Sequence, residues 1–312
     1  MTPSPLSASF AKALEAAHDA AGSQNNPAST LYVVATPIGN LADISLRALH
    51  VLQKVDVIAC EDTRHTQQML RAYGIDKAGS GLLAVHQHNE TEAAQTVIAR
   101  LREGQRVAYV SDAGTPGVSD PGARLVAQVR AQGLRVVPLP GASSVVTAIS
   151  VAGLVAAGEG HGGFVFRGFL SSKTTERANE VVAIAALPDA VVLLEAPHRL
   201  EALAKALAPL GARKVTVGRE LTKQFEEVAT VDASEFSAWL AADANRLRGE
   251  FALVIHPAAA AASTADDRVL SLLLEQLPLK SAVKLAADIT GEPRNALYER
   301  ALLLKQGSTS ED

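Results

Sequence analysis

Short apolar runs alternate with longer segments whose apolar residues recur at helical spacing, and the alternation continues from residue 30 to residue 256. Stretches 31–35, 55–60, 82–86, 106–110 and 134–139 are rich in β-branched and aliphatic residues and read as strands. Between them, 41–53 fits a helix with Leu41, Ile44, Leu49 and Leu52 inward. The helices expected at 63–73, 90–103 and 123–131 are closed by Gly74, Gly104 and Gly133. Strand after helix after strand predicts a largely parallel sheet. A helix at 145–151 and a glycine-rich patch at 153–163 then interrupt the rhythm. It resumes with strands expected at 163–169, 190–195, 214–220 and 250–256 and helices at 175–186 and 199–210. After residue 265 only helical periods remain: Leu270, Leu273, Leu274 and Leu277; Val283, Ala286 and Ile289; Leu297, Ala301 and Leu304. Pro293 falls at the start of the last helix, as in a helix-turn-helix.

The fold class this predicts is α/β. Residues 1–29 read as a disordered tail, with at most one short helix near 8–20. Residues 30–143 form a first α/β domain with a mainly parallel sheet. Residues 144–257 form a second α/β domain, 258–265 an Ala/Ser/Thr linker, 266–306 a small helical unit and 307–312 a tail. Composition changes this little. The 312 residues are 48% hydrophobic and 20% charged, ordinary for a globular protein, and the net charge of −4 supplies no global field for nucleic acid. The lone Cys60 excludes an internal disulfide and a cysteine metal framework. With neither a secretory signal nor a membrane-length apolar run, a cytoplasmic protein is expected.

The candidate chemistry lies at strand ends. Residues 111–122, SDAGTPGVSDPG, carry three glycines, two prolines and two carboxylates between a strand and a helix. Ordinary connections there run about 2–6 residues. A longer loop of small and rigid residues at a strand's C-terminal end is where open α/β sheets bind ligands. Residues 36–40, TPIGN, and 140–144, PGASS, are two more such loops, and the serines of the latter are expected to cap the next helix. None carries a dinucleotide or triphosphate glycine fingerprint. Polar clusters follow three further strands, at 61–65, 195–199 and 219–227. Helix capping by Asp62 or Thr63 and a solvated face at 219–227 are the plain alternatives to a site. No serine hydrolase elbow and no metal-ligand spacing occurs, and His86 with His88 is only a weak metal hint. A crevice without nucleophile or metal fits chemistry supplied by a cofactor.

In order, TPIGNL at 36–41, CEDTRHT at 60–66, SDAGTPGVSDPG at 111–122, PGASS at 140–144, EAPHRL at 195–200, RELTKQFEE at 219–227 and GEFALVI at 249–255 resemble the tetrapyrrole-methylase superfamily. Within it they resemble the ribosomal RNA small subunit methyltransferase I subfamily. The resemblance spans about 30–305. It implies two α/β domains with S-adenosylmethionine in the cleft between them, a homodimer, and 2′-O-methylation of a cytidine in 16S rRNA of the small ribosomal subunit. No metal and no membrane are expected from the residues themselves. Carried over residue by residue, the resemblance offers Pro37, Gly39, Asp112, Gly114, Thr115, Gly117, Val118, Ser143 and Ser144 as cofactor contacts, with Leu194 and Glu250 from the second domain.

A ribose 2′-hydroxyl attacking a sulfonium methyl group gains from a general base, worth about 10²–10⁴-fold. Glu61, Asp62, Glu195 and His198 are the candidates. Arg64, His65, Arg199, Arg219 and Lys223 are the expected RNA contacts, the cations among them neutralising phosphates. Arg294, Asn295, Tyr298 and Arg300 on the last helix either touch RNA or face solvent. Two other functions share parts of this pattern. A methyltransferase of tetrapyrroles or other small molecules would share the fold and cofactor. A non-catalytic RNA-binding protein with a helix-turn-helix would bind no cofactor.

Overall fold

A computed structural model of the chain describes residues 5–86, 88–154, 163–258 and 264–307. Most of the glycine-rich patch and the linker, the last residues of the C-terminal tail and the first four residues lie outside that description. In chain order the first domain contains α1 (Pro5–Ala21), β1 (Thr30–Val34), α2 (Leu46–Lys54), β2 (Val57–Cys60), α3 (Thr63–Ala72), β3 (Leu82–Ala84), α4 (Glu90–Arg102), β4 (Arg106–Val110), α5 (Gly122–Ala131) and β5 (Arg135–Leu139). Then come α6 (Ser144–Ala152), β6 (Phe164–Gly168), α7 (Thr174–Ala185), β7 (Ala190–Glu195), α8 (Leu200–Leu207), β8 (Lys214–Arg219), β9 (Glu227–Asp232), α9 (Phe236–Ala241) and β10 (Phe251–Ile255). The chain ends in α10 (Thr264–Gln276), α11 (Leu279–Thr290) and α12 (Arg294–Gly307).

The first sheet runs β3-β2-β4-β1-β5, and every neighbouring pair is parallel. Its central strands are apolar throughout because helices cover both faces. Alternate residues part to opposite sides. Tyr32, Val34 and Ile58 pack with α2 and α3 beneath Leu49, Leu52, Leu70 and Tyr73. Leu31, Val57 and Tyr109 pack with α4 and α5 against Val97, Leu101, Leu125 and Val129.

Three local expectations change. The segment expected to be a tail holds a helix of 17 residues. Phe10, Ala13, Leu14 and Ala17 face the α2–α3 core, and the Phe10 ring meets Tyr73 edge-on at 5.1 Å. The stripe escaped notice because alanine carries little hydrophobic contrast, although it packs a helix closely. The helix expected at 41–53 is divided. Asn40 accepts from the Ala42 amide to start one 3₁₀ turn at Leu41–Asp43, and Ser45 accepts from the Ala48 amide to start α2. Finally, 227–232, where no strand was expected, forms the edge strand β9; Glu227, Ala229 and Val231 are half-buried while Val228 and Thr230 face solvent.

The second sheet runs β6-β7-β10-β8-β9; β6 and β7 are parallel and the other pairs antiparallel. One face packs on α7, α8 and α9 through residues such as Leu193, Leu203, Val217, Phe236 and Leu253. The other face carries Ala190, Val192, Ala252 and Val254. It is covered by Val145, Ala148 and Ala152 of α6, by Leu221, and by Ile38 from the loop after β1. A residue of the loop after β1 thus enters the second domain's core, and the two domains meet at that seam. The terminal helices enclose their own core of Leu270, Val283, Ala286, Leu297 and Ala301. Arg294 pairs with Asp288 and Arg300 with Glu292.

Candidate active site

Because β4, β1 and β5 are adjacent and parallel, the loops that follow them emerge side by side at one edge of the sheet. The backbones of Thr36 and Gly114 exchange two hydrogen bonds of 3.0 and 3.1 Å, and the Thr36 hydroxyl donates to the Ser111 carbonyl at 3.3 Å. The Thr115 hydroxyl donates to the Ala142 carbonyl at 2.9 Å and draws in the third loop. Gly114 holds φ at +83°, and a Cβ there would lie 3.1 Å from Cγ2 of Ile38. The glycine is required by both its backbone angle and its neighbour.

Asp120 closes the long loop. Its Oδ1 accepts from the Tyr109 hydroxyl at 2.9 Å and from the Gly122 amide at 2.7 Å, and its Oδ2 accepts from the Gly117 amide at 2.6 Å. In the sequence this carboxylate is one of two in the loop, and the Asp-Pro-Gly turn is the only signal of its role. Asp120→Ala would strand the buried Tyr109 phenol and the Gly122 amide, at about 1–3 kcal/mol for each, and release the Gly117 amide to water. It is expected to lower the unfolding midpoint and weaken cofactor binding together. Unchanged thermal stability and cofactor affinity would exclude the stapling role.

Two cavities adjoin these loops on the seam side. One, of about 400 Å³, is walled by Ile38, Ala113, Ser144, Leu194, Glu195, Leu221 and Ala252. The smaller, of about 120 Å³, is walled by Glu61, Gly114, Thr115, Val118, Ser119, Ser143, Ser144 and Leu194. A third cavity, of about 930 Å³, opens along α3, lined by Pro37, Gly39, Arg64, His65, Arg71, Asp112, Lys223 and Glu250. Ile38, Ala113 and Glu250 border both this cavity and the one of 400 Å³.

The seam cavities suit the cofactor that the sequence motifs imply. Their size is that of a small-molecule site, and Ile38, Leu194 and Leu221 offer apolar walls for a planar ring. Ser143, expected to cap α6, makes no side-chain cap there. The residue borders the smaller cavity, and the uncapped positive end of α6 is left open to a carboxylate. Of the expected cofactor residues, Gly114, Thr115, Val118, Ser143, Ser144 and Leu194 line these cavities. Pro37, Gly39 and Asp112 face the larger one, and Glu250 borders both sides. Gly117, with φ at +84°, borders neither and shapes the loop through its bond to Asp120. Ile38, Ala113, Leu221 and Ala252 were missed because they are plain apolar residues until the two domains are brought together.

The polar clusters interlock rather than stand free. Glu61 Oε1 accepts from the Asp112 amide, and Asp112 Oδ1 accepts from the Asp62 amide, each at 3.1 Å. Burial holds the Glu61 carboxyl above its ordinary range against that hydrogen bond. Asp62 caps α3, and the Arg64 and His65 amides keep its carboxyl low. Glu195 is fully buried beside Arg199, whose Nε lies 3.0 Å from Oε1, while Oε2 has no protein partner. Burial raises this carboxyl despite the Ala196 amide and the nearby Arg199, Arg177 and His198. His198 is exposed and borders none of the three cavities.

Among the expected RNA contacts, Arg64 and His65 are exposed on the larger cavity. Lys223 is there too, paired with Glu220 at 2.8 Å and Glu250 at 3.0 Å; burial opposes its charge, yet those two partners hold its pKa up. Arg199 also donates to the Leu170 carbonyl. Arg219 is buried and donates to the Arg248 and Phe225 carbonyls. Both guanidiniums are committed to the fold. The Cys60 thiol is buried and pushed up to about 11, which removes it as a nucleophile. Among the described residues no group of three or more His, Cys, Asp or Glu is gathered to hold a metal, and no helix is long and apolar enough to cross a membrane.

Residues 30–237 match the family described as tetrapyrrole (corrin/porphyrin) methylases, and residues 260–305 match the RsmI C-terminal HTH domain. The chain is 47% identical to ribosomal RNA small subunit methyltransferase I of Escherichia coli O157:H7, over 90% of this chain and 97% of that protein. It is 45% identical to the protein of the same name from Pseudomonas aeruginosa, over 88% and 97%. Among solved structures it resembles a cobalt precorrin-4 methyltransferase, with TM-score 0.53 and 18% identity over 73% of this chain and 95% of that one. A uroporphyrin-III C-methyltransferase from Thermus thermophilus gives TM-score 0.50 and 22% identity over 73% and 94%. These two likenesses concern the fold alone.

Proposed function

The chain belongs to the ribosomal RNA small subunit methyltransferase I family, built on the tetrapyrrole methylase fold, and from that membership we propose that it methylates the 2′-oxygen of a cytidine ribose in 16S rRNA of the small ribosomal subunit. S-adenosylmethionine is the methyl donor; held in the seam cavities, it supplies an electrophilic methyl group and a thioether leaving group. The observation that carries the reading is the pair of unlike chambers meeting at Ile38 and Ala113. One is small, largely apolar and open to a helix N-terminus. The other is about 930 Å³ and bordered by Arg64, Arg71 and Lys223.

Each part of the chain then has a task. The 36–40, 111–122 and 140–144 loops hold the donor, with Gly114, Thr115, Val118, Ser143, Ser144 and Leu194 against it. The α3 face and Lys223 take the RNA, which must arrive single-stranded or splayed, since ribose and base edges are accessible only there. Fixing oxygen, methyl and sulfur in line is worth about 7–11 kcal/mol of the barrier. Arg199 and Arg219 hold the second domain together rather than neutralising phosphate. Small tetrapyrrole substrates fit less well: the matched C-terminal domain and the cations along α3 suit a polyanion. The enzyme acts as a homodimer, which sedimentation of the full chain would test; a monomer at all working concentrations would remove that element.

The direct test is a comparison of 16S rRNA from cells with and without the gene. Loss of one 2′-O-methylcytidine on deletion, restored by the wild-type chain, is expected. An unchanged ribose-methylation map would reject the assignment.

A further inference from the structure

We propose that His65 is the group that accepts the proton of the attacking 2′-hydroxyl, a role that rests on the RNA-methylating function above. Glu61, Asp62, Glu195 and His198, the four groups expected in that role, do not border the large cavity. Glu61 and Glu195 wall the seam cavities, Asp62 caps α3, and His198 stands outside all three. The proton acceptors that border the large cavity are His65, Asp112 and Glu250. Glu250 Oε2 lies 3.0 Å from the Lys223 ammonium, and Asp112 Oδ1 receives the Asp62 amide. That leaves the imidazole.

Its tautomer follows from one contact. Nε2 of His65 lies 3.1 Å from the carbonyl oxygen of Asp112. A carbonyl oxygen only accepts, so in the neutral ring the proton sits on Nε2 and Nδ1 keeps a lone pair. The ring is an acceptor oriented by a backbone carbonyl, the arrangement a general base needs. The placement is also right: the residue after Asp112 is Ala113, which borders both chambers. The backbone is fixed from the other side, because the His65 amide donates to the Asp62 cap. The charged groups around the ring are Asp62, Arg64 and Arg71 on its own segment, Glu61 and Asp112 through the interlocked loops, and Lys223 and Glu250 across the cavity.

In the step, the O–H bond of the 2′-hydroxyl breaks and the proton passes to Nδ1. The oxygen pair so released forms the O–CH₃ bond as the S–CH₃ bond breaks, its electron pair remaining on sulfur. The imidazolium afterwards returns its proton to water.

The test uses the full-length chain, His65→Gln and His65→Ala. In single turnovers on small-subunit rRNA, both variants are expected to lose about 10²–10⁴-fold in rate. Their affinity for S-adenosylhomocysteine should stay at the wild-type value and RNA affinity should fall far less than the rate, the pH dependence of the rate should flatten, and added imidazole should partly restore the alanine variant. Long-range ¹⁵N–¹H NMR of the free wild-type protein should show the Nε2–H tautomer. A glutamine variant within tenfold of wild type, a defect confined to RNA affinity, or an Nδ1–H ring would each overturn the assignment. Wild-type protein that transfers no methyl to RNA would instead contradict the proposed function, while the NMR result would still decide the ring geometry.

Discussion

Gly114→Val is expected to abolish binding of S-adenosylmethionine while RNA binding survives. Gly114 sits at φ +83°, where an L side chain is strained by about 1–2 kcal/mol, and a β-branched one by more. Its new Cβ would lie 3.1 Å from Ile38 Cγ2. Valine adds two further methyl groups at that spot. Ile38 has little room to yield, since it is packed into the second domain's core with Val145 and Leu221. The displacement must pass to the Thr36–Gly114 hydrogen bonds, which hold two of the three cofactor loops together. A hundredfold loss of affinity, roughly 2.7 kcal/mol, is the smallest effect expected. Gly117→Val should do less: its φ is +84°, but a Cβ there meets nothing closer than the Ala123 amide nitrogen at 3.8 Å. Calorimetry with S-adenosylhomocysteine, beside RNA binding by filter retention, separates these effects. Cofactor affinity retained in the Gly114 variant, or RNA affinity lost first, would contradict the division of the site into two chambers.

Arg199→Ala should lower stability severely and leave the salt dependence of RNA binding unchanged. The Glu195 side chain has no exposed surface, and the Arg199 guanidinium pairs with it at 3.0 Å, ahead of the more distant charges of Arg177 and His198. Removing one member of such a buried pair typically costs about 3–5 kcal/mol, because the other charge is left without compensation. The same substitution also removes the donor to the Leu170 carbonyl and frees the segment before α7. Chemical denaturation reads the loss. Glu195→Gln combined with Arg199→Ala should recover part of it, since the stranded charge is then gone. If Arg199→Ala folded normally and weakened RNA binding with a shallower salt slope, Arg199 would be a phosphate contact after all.

How far the sequence foretold this protein can be read from particular elements. The parallel first sheet was legible because its buried strands are continuous apolar runs and its helices end at glycines. Helix α1 was legible only as one short helix near 8–20, and its packing was not, since Phe10 and Leu14 are diluted among alanines. Strand β9 was hidden by its edge position, which leaves acidic residues along it. The 111–122 loop stood out through its glycines and prolines, Gly114 and Thr115 within it were named only through the family resemblance, and Asp120 looked like any turn carboxylate until its three bonds were visible. Ile38 and Leu221 became site residues only when two domains closed around them. The polar clusters were found, but their roles were not. Arg199 and Arg219 looked free for RNA and are tied to backbone carbonyls and carboxylates, facts that depend on contacts 29 residues away in the chain.

The central claim is transfer of a methyl group from S-adenosylmethionine to a ribose oxygen of small-subunit rRNA. Purified protein should be incubated with methyl-labelled S-adenosylmethionine and either 16S rRNA or small subunits from the deletion strain, and the RNA then hydrolysed with alkali. The account predicts label in a single alkali-resistant dinucleotide whose 5′ residue is 2′-O-methylcytidine. Label on a base, or label on an added tetrapyrrole with none in RNA, would contradict it.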